Sequence, residues 1–331
     1  MTEPAVSRPA AAGEAPVALS RGPVALAWVR LRRKKLAMIC LVLVVLLYVA
    51  GTFAPLLSTH PYSQTDLTHT QKAPSAKHWF GTDRLGRDIY SRTLYGAQTT
   101  VILTVISVLS GSILLGVTLG LLSGYFRGWL DALLMRAGEV VSAFPSVLLI
   151  ILLAATLRPR FLEIARGIED STGISGIVRS GVVDFVILTV VFLPLSWFGM
   201  TRLVRGQVLS IRESEYVQSA RAVGASTWRI LFAHILPNVI GPIIVSASFS
   251  LGTIAGSEIF LSFLGLGVQP PRPSLGGMMS DLPLRGGSGF VSILRDHPEQ
   301  LLFPGTAIFL FLFCWALIGD ALTDVFNPRT R

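Results

Sequence analysis

The chain has 331 residues, of which 51% are hydrophobic and only 14% charged, and it carries a net charge of +9. Soluble domains run at about 45–50% apolar and 25% charged residues, so this composition, with a mean hydropathy of +0.63, excludes an ordinary water-soluble globule. The positive charge alone would suit nucleic acid, but the basic residues flank apolar runs and interleave with no aromatic stacking pattern, which argues against that partner.

Residues 1–25 are rich in Ala, Pro and Gly without periodicity and read as a disordered tail. Arg32, Arg33, Lys34 and Lys35 then precede the first long apolar run, Leu36 to Leu57. That run exceeds a secretory h-region and no small-residue cleavage pattern follows it, so it is expected to be a retained span. Five further stretches are each close to the roughly 17–25 residues that cross a bilayer as a helix: Thr99 to Tyr125, Leu130 to Leu157, Val182 to Met200, Val239 to Leu264 and Leu301 to Leu322. The expected fold is therefore an all-α membrane protein with six transmembrane helices. It divides into the tail 1–25, a first helix with its loop over 26–98, and a five-helix core over 99–331 that holds a loop at 201–238. More than half of the 28 Lys and Arg residues fall on the side of the N-terminus under this arrangement, the strongest cluster beside the first span. The bias of short loops toward positive charge on the cytoplasmic side then places both termini in the cytoplasm.

The connections differ in character. From about His60 to Gln98 lies a segment expected outside, dense in turn formers and opposite charges, with His78-Trp79-Phe80-Gly81-Thr82-Asp83 followed by Gly86-Arg87-Asp88. Arg158 to Gly181 reads as a polar outside loop around Gly173 and Gly176, and Gly265 to Gln300 as another, holding Gln269-Pro270-Pro271. On the inside, Thr201 to Asn238 is long and polar, and such loops in compact membrane domains are usually functional. Glu215 to Val223 lacks Gly and Pro and predicts a short helix, with Glu215, Gln218 and Arg221 on a polar face and Ala220 and Val223 packing inward. Gly224 ends it, Ala225 follows, and Ser226 caps a second helix running to Pro237. By composition alone this is either a solvated connector or a handle for a soluble partner.

The spacing bears on that choice. Gln218-Ser219-Ala220, Gly224, His234 and Leu236-Pro237 resemble the cytoplasmic loop of ABC importer permeases, which reads Glu-Ala-Ala, three residues, Gly, nine residues, Ile, one residue, Leu-Pro. Gln, Ser and His replace Glu, the first Ala and Ile. Phe80-Gly81-Thr82-Asp83, Gly86-Arg87-Asp88 and Ser91-Arg92 are similar to the signature of dipeptide and oligopeptide permeases. So are Glu258, the run Leu261 to Pro271, and the closing Asn327-Pro328-Arg329. The resemblance implies the type I importer permease fold, a homologous second permease, two ATPases that bind ATP and Mg, and an extracytoplasmic solute-binding protein, in a bacterial inner membrane. It implies a coupling helix at Glu215 to Ser226, with Glu215, Gln218, Ser219, Ala220, Arg221, Gly224, Ala225, Ser226, Leu236 and Pro237 as the coupling loop. Phe80, Asp83, Arg87, Asp88, Glu258 and Gln269 are candidates for the outside or translocation face, or equally for turns and ion pairs that hold the fold. Peptides lead as substrate; nickel chelates, glutathione and antimicrobial peptides are carried by similar permeases. The segment from about Arg158 to Val183 is longer than the family pattern and reads as a tolerated insertion or a docking element.

Other chemistry finds no support in these residues. No Gly-x-x-x-x-Gly-Lys-Ser/Thr loop, His-Glu-x-x-His pair or Gly-x-Ser-x-Gly elbow occurs, and the five histidines are scattered, so the chain is expected to be no enzyme and to hold no metal or cofactor of its own. A membrane-embedded enzyme or a channel would need a catalytic group or a charged pore ring. Glu139, Asp184, Glu258 and Asp320 all fall near span edges, which disfavours an ion-coupled transporter. Cys40 and Cys314 lie within spans and read as packing residues, and Gly111, Gly116 and Gly120 as sites of close helix approach.

Overall fold

The computed structural model describes residues 23–173, 176–178, 180–282 and 289–326. Most of the expected tail and the Asn327-Pro328-Arg329 ending lie outside these residues. The described residues form helices joined by loops, with no strand among them and one isolated bridge between Thr82 and Asp88.

Pro23–Arg33 (α1) already forms a helix where the tail was expected to run on to residue 25. Ala27 and Leu31, four residues apart, share one helical face and bury themselves against Ala37, Ala321 and Val325. Lys34 interrupts the chain and Lys35–Thr52 (α2) follows, with Ile39, Val42, Leu46 and Val49 exposed on a face that suits lipid. Its other face packs Cys40 and Val44 against Phe311 and Cys314, so both cysteines are core residues.

Ile89–Phe126 (α3) is one long span, and its middle, Val108–Val117, widens into π-helical hydrogen bonding. It runs against Val182–Ile211 (α6) at unusually short range. A methyl group added at Gly116, Gly120 or Gly124 would stand 2.6, 2.7 and 2.7 Å from the Cβ atoms of Met200, Val204 and Val208. Small residues at this spacing let two backbones approach in the absence of a hydrophobic drive between helices in lipid. Thr201 Oγ1 donates to Gly116 O at 3.1 Å, and Ser112 Oγ to Ser196 O at 3.0 Å, so the close approach also yields interhelical hydrogen bonds. The packing role expected of the glycines is observed, and Gly124 extends it by one turn.

The third expected span is not a single helix. Gly128–Ser142 (α4) and Ser146–Thr172 (α5) meet at an angle of 90° across Ala143, Phe144 and Pro145. Proline disfavours helical backbone in the residue before it and has no N–H to donate, so the break falls there. Five helices are long and apolar enough to span alone, and the broken pair makes the sixth. The expected loop from Arg158 is also corrected, because α5 continues helical to Thr172. Phe161, Leu162 and Ala165 pack on the core beside Val183 and Ile187, and Gly173, at φ +70°, ends the helix in the left-handed region. Beyond it Glu169 Oε1 accepts from the Gly176 and Val178 amides at 2.9 and 3.1 Å.

Glu215–Ala222 (α7) is short, and Thr227–Phe263 (α8) is a continuous helix of 37 residues. The second loop helix was expected to stop at Pro237. Instead Ile230–Ile235 adopts the wider π turn just ahead of it, and the helix carries on through the proline. A wide turn moves the preceding carbonyl away from the ring that would otherwise clash with it. Leu275–Ser280 (α9), Gly289–Asp296 (α10) and the span Glu299–Phe326 (α11) complete the chain. Two ends of the bundle follow from these connections. One carries residues 53–88 and 265–282, the other α1, the α3–α4 turn and α7.

Candidate functional site

At the α7 end, one residue anchors the short helix. Val217 is fully buried, among Val204, Val208, Ile230, Leu231 and Ile235, while Glu215, Gln218, Ser219 and Arg221 are exposed and Ala220 is half-buried. The inward packing expected of Val223 is not seen, since it stands 89% exposed. Val223 is already past the last helical residue, so its direction follows the turn and not the helix period. Gly224, at φ +85°, makes that turn. Its amide donates to Arg221 O at 3.0 Å and the Ala225 amide to Ala220 O at 3.0 Å, the paired bonds of a glycine-terminated helix. Ser226 Oγ accepts from the Arg229 amide at 3.4 Å and caps α8 as expected.

Polar contacts hold α7 to its neighbours. Arg221 Nη2 donates to Tyr125 Oη at 3.3 Å, with its guanidinium over the Tyr125 ring, and Arg212 Nη1 donates to Tyr125 O at 2.7 Å. Asn238 Nδ2 donates to Tyr216 Oη at 3.3 Å, one residue beyond Pro237, and Leu236 is half-buried beside it. A little deeper, Arg205 clamps Asp131 with two hydrogen bonds of 2.5 and 2.6 Å, and Ser123 Oγ donates to the same carboxylate. Bidentate pairing of this kind is geometrically specific, and here it ties α3, α4 and α6 into one unit. Side chains of α7 thus meet the ends of two spans, α3 through Tyr125 and α8 through Asn238. Val223 and Trp228, the latter 60% exposed, present apolar surface at a polar end of the molecule.

At the opposite end the expected face residues are engaged with one another. Asp83 Oδ1 accepts from the Leu85 and Arg87 amides at 2.8 and 2.9 Å. Arg87, only 7% exposed, then bridges Asp83 at 2.6 Å and Asp281 at 3.0 Å. Asp88 caps α3 through the Ser91 amide at 2.8 Å, and Phe80 stacks on Phe303 with ring centres 3.7 Å apart. These contacts clamp the 265–282 loop and the start of α11 onto the turn before α3. Asp184 pairs with Arg158 at 2.5 Å and accepts from the Gln269 amide at 3.0 Å. Arg272 donates to Gln98 Oε1 at 2.8 Å and lies over Phe185, and burial lowers its pKa from the usual arginine value. Glu258 is fully buried and accepts from Thr100 Oγ1 at 2.7 Å and Ser262 Oγ at 2.8 Å, so its carboxylate joins α8 to α3.

Sequence reasoning did not single out a groove between α5, α6 and α8. Its cavity volume is about 310 Å³, and Ser146, Ser196, Ser246, Ser250, Thr253 and Ser257 line it together with Phe192 and Phe249. Small-molecule sites occupy roughly 300–1,000 Å³, and no lining residue is charged. Ser250, Thr253 and Ser257 each donate to the carbonyl four residues back, at 2.9, 3.0 and 2.9 Å. Their oxygens keep lone pairs for an acceptor role. The signal was present: Ser246, Ser250, Thr253 and Ser257 recur at four, three and four residues, which is one helix face.

Comparison with known proteins agrees with this architecture. Residues 116–331 match the family of binding-protein-dependent transport system inner membrane components, and residues 22–74 match the N-terminal TM domain of oligopeptide transport permease C. The chain is 36% identical to the dipeptide transport system permease protein DppC of Alkalihalophilus pseudofirmus, over 92% of this chain and 90% of that protein. It is 38% identical to the oligopeptide transport system permease protein OppC of Bacillus subtilis, over 92% and 89%. It is 36% identical to the glutathione transport system permease protein GsiD of Pectobacterium atrosepticum, over 92% and 90%. With six spans, one broken at Pro145, and these matches along nearly its whole length, the chain belongs to the binding-protein-dependent transport system inner membrane component family and is a multi-pass permease of an ABC importer.

Proposed function

We propose that this chain is one of two homologous permeases that enclose the path of a peptide importer, with α7 seated on a partner ATPase that binds ATP and Mg. The observation that carries the reading is the build of α7. One buried residue anchors it, Arg221 and Tyr216 tether it to α3 and α8, and Glu215, Gln218 and Ser219 stay exposed on its outer face. A handle so joined converts closure of two ATPases into movement of the spans, the coupling of two discrete arrangements that switching requires. The chain supplies no hydrolytic group; its role is mechanical. Both termini lie in the cytoplasm of a bacterial inner membrane. The opposite end, shaped by Phe80, Asp83, Arg87, Asp88 and Gln269, receives an extracytoplasmic solute-binding protein. Glu258 secures α8 to α3 behind that face.

The serine-lined groove is this chain's half of the path. Acceptor oxygens without fixed charge suit peptide amides and leave the net charge of the passing solute unselected, while the binding protein sets affinity. Peptides are the substrate class favoured by the dipeptide, oligopeptide and glutathione permeases to which the chain is similar.

The test is ATP-driven uptake of labelled di- and oligopeptides into vesicles that hold the chain, its second permease, the ATPases and the binding protein. Ser250→Ala is expected to change the rate by less than about twofold. Ser250→Phe fills the groove and is expected to cut uptake at least tenfold, or about 1.4 kcal/mol at the barrier, with the complex still assembled. Equal uptake by the Phe variant would remove the groove from the path, and uptake of nickel chelates in place of peptides would overturn the substrate class.

A further inference from the structure

The end of the bundle opposite α7 contains a cluster of possible metal-ligating side chains. His60 follows α2, His78 opens the turn before α3, and Asp88 caps α3; their donor atoms all lie within 4.8 Å of one another. His78 is 8% exposed, Asp88 3%, and the His60 side chain 23%. The two imidazoles stack, with ring centres 4.6 Å apart and planes inclined by 29°. Stacking aligns the rings so that His78 Nδ1 stands 3.0 Å, and His60 Nδ1 4.0 Å, from the same oxygen, Asp88 Oδ1.

We propose that His60, His78 and Asp88 form a binding site for a divalent transition-metal ion of the zinc class. Zinc bonds to imidazole nitrogen and carboxylate oxygen run at about 2.0–2.2 Å, and tetrahedral angles then set neighbouring donors about 3.3 Å apart. The observed separations of 3.0 and 4.0 Å bracket that value. The donors, all within 4.8 Å of one another, close on an ion by drawing together by up to about 1.5 Å.

The carboxylate is already divided between two tasks. Oδ2 accepts from the Ser91 amide at 2.8 Å and keeps the cap of α3, which leaves Oδ1 to face the imidazoles. The surroundings orient the other ligands. The His60 amide donates to Ser91 Oγ at 3.1 Å, and His60 Nδ1 lies 3.0 Å from Thr59 Oγ1, a contact that a metal bond would replace. Such outer partners fix ligand geometry in metal sites. Gln64, Asp66 and Lys77 line the same cleft, which opens to solvent and leaves room for water as a fourth ligand. Asp66 is engaged with Thr68 and His69, so Asp88 is the carboxylate that faces the two imidazoles. Two neutral imidazoles and a carboxylate favour zinc, nickel or cobalt over magnesium or calcium, which take oxygen.

A bound ion would join the segment after α2 to the turn before α3, two pieces otherwise linked at this point by contacts between Thr59, His60 and Ser91 or Asp88. It would stiffen the end of the molecule that carries the 265–282 loop.

The experiment uses the full chain, purified without a histidine tag, stripped with chelator, desalted and titrated with zinc. Metal is counted by elemental analysis, and thermal unfolding is followed in parallel. One zinc per chain is expected, together with a rise in the unfolding midpoint, because an ion that binds only the folded state stabilises it by mass action. His60→Gln and Asp88→Asn should each weaken binding at least about tenfold. Asn caps helices as well as Asp, so the second variant keeps α3 intact while removing the charge. Cobalt in place of zinc should give a four-coordinate ligand-field spectrum in the unsubstituted chain and lose it in both variants. Zinc bound equally by the chain and both variants would overturn the proposal, as would no zinc retained by the chain itself. In either case His78 and Asp88 would be a capping hydrogen bond and nothing more.

Discussion

Replacing Val217 with Asp is expected to abolish ATP-driven uptake while the spans still insert. Val217 is the sole fully buried residue of α7 among the described residues, and it sits among five or more aliphatic side chains of α6 and α8. An unpaired carboxylate there costs about 3–5 kcal/mol. An eight-residue helix cannot hold its shape without tertiary support, so the penalty is relieved by release of α7 and not by unfolding of the whole bundle. Backbone amide exchange in α7 should rise to the rate of an open loop, with the Gly116–Met200 contact region still protected. Val217→Ala removes apolar contact without adding charge and costs about 1–2 kcal/mol, so its uptake should be reduced and not lost. Uptake at the original rate with Asp at this position would show that α7 needs no anchor.

The second large effect is expected from Gly120→Leu. A Cβ at Gly120 meets Val204 Cβ at 2.7 Å and the Thr201 carbonyl oxygen at 2.9 Å, and neither is the flexible end of a side chain. Overpacking of this kind costs about 1–3 kcal/mol where neighbours can move and more where backbone blocks them. The helices α3 and α6 would have to separate, which also stretches the Thr201 to Gly116 hydrogen bond. Thermal unfolding in detergent should fall by many degrees for Leu and by less for Ala, and a Gly120→Leu chain as stable as the original would contradict the close approach.

The spans and the glycine contacts were legible because both depend on composition and short-range period. Gly224 and Ser226 were legible for a similar reason, since a left-handed turn and a helix cap need particular residue types wherever they occur. The misreadings share a different cause. Hydropathy along Leu130 to Leu157 does not register that Pro145 ends one helix and starts another at 90°. The polar stretch from Arg158, with Gly173 and Gly176, suggested a loop, yet Phe161, Leu162 and Ala165 fall on one face and pack on the core. Pro237 read as a stop, but a π turn before it absorbs the ring. Val223 was assigned inward by helical period although it lies beyond the helix, and Val217, the true anchor, differs from it only in position. Outcomes of that kind depend on which neighbours arrive from distant parts of the chain. The same holds for His60, His78 and Asp88, which are separated by up to 28 residues and meet only because α2 and α3 are antiparallel neighbours.

The family resemblance pointed to a coupling loop at Glu215 to Ser226, and the geometry adds what that segment is joined to. Arg212 and Arg221 meet Tyr125 at the end of α3, and Tyr216 meets Asn238 of α8, so α7 and the residues before it are joined to the span ends by side chains as well as by backbone. The residues Asp83, Arg87 and Asp281 act at the other end, where they hold the 265–282 loop in place.

The central claim is that α7 is the seat of the ATPase. It is tested most directly by co-purification in mild detergent of the chain co-expressed with its second permease and ATPases, compared with the Gly224→Asp plus Glu215→Arg variant. The account predicts that the unsubstituted chain brings down an ATPase pair, and that the variant, its spans still inserted, releases the pair and loses transport-coupled ATP hydrolysis. Retention of a fully coupled ATPase pair by the variant would contradict it.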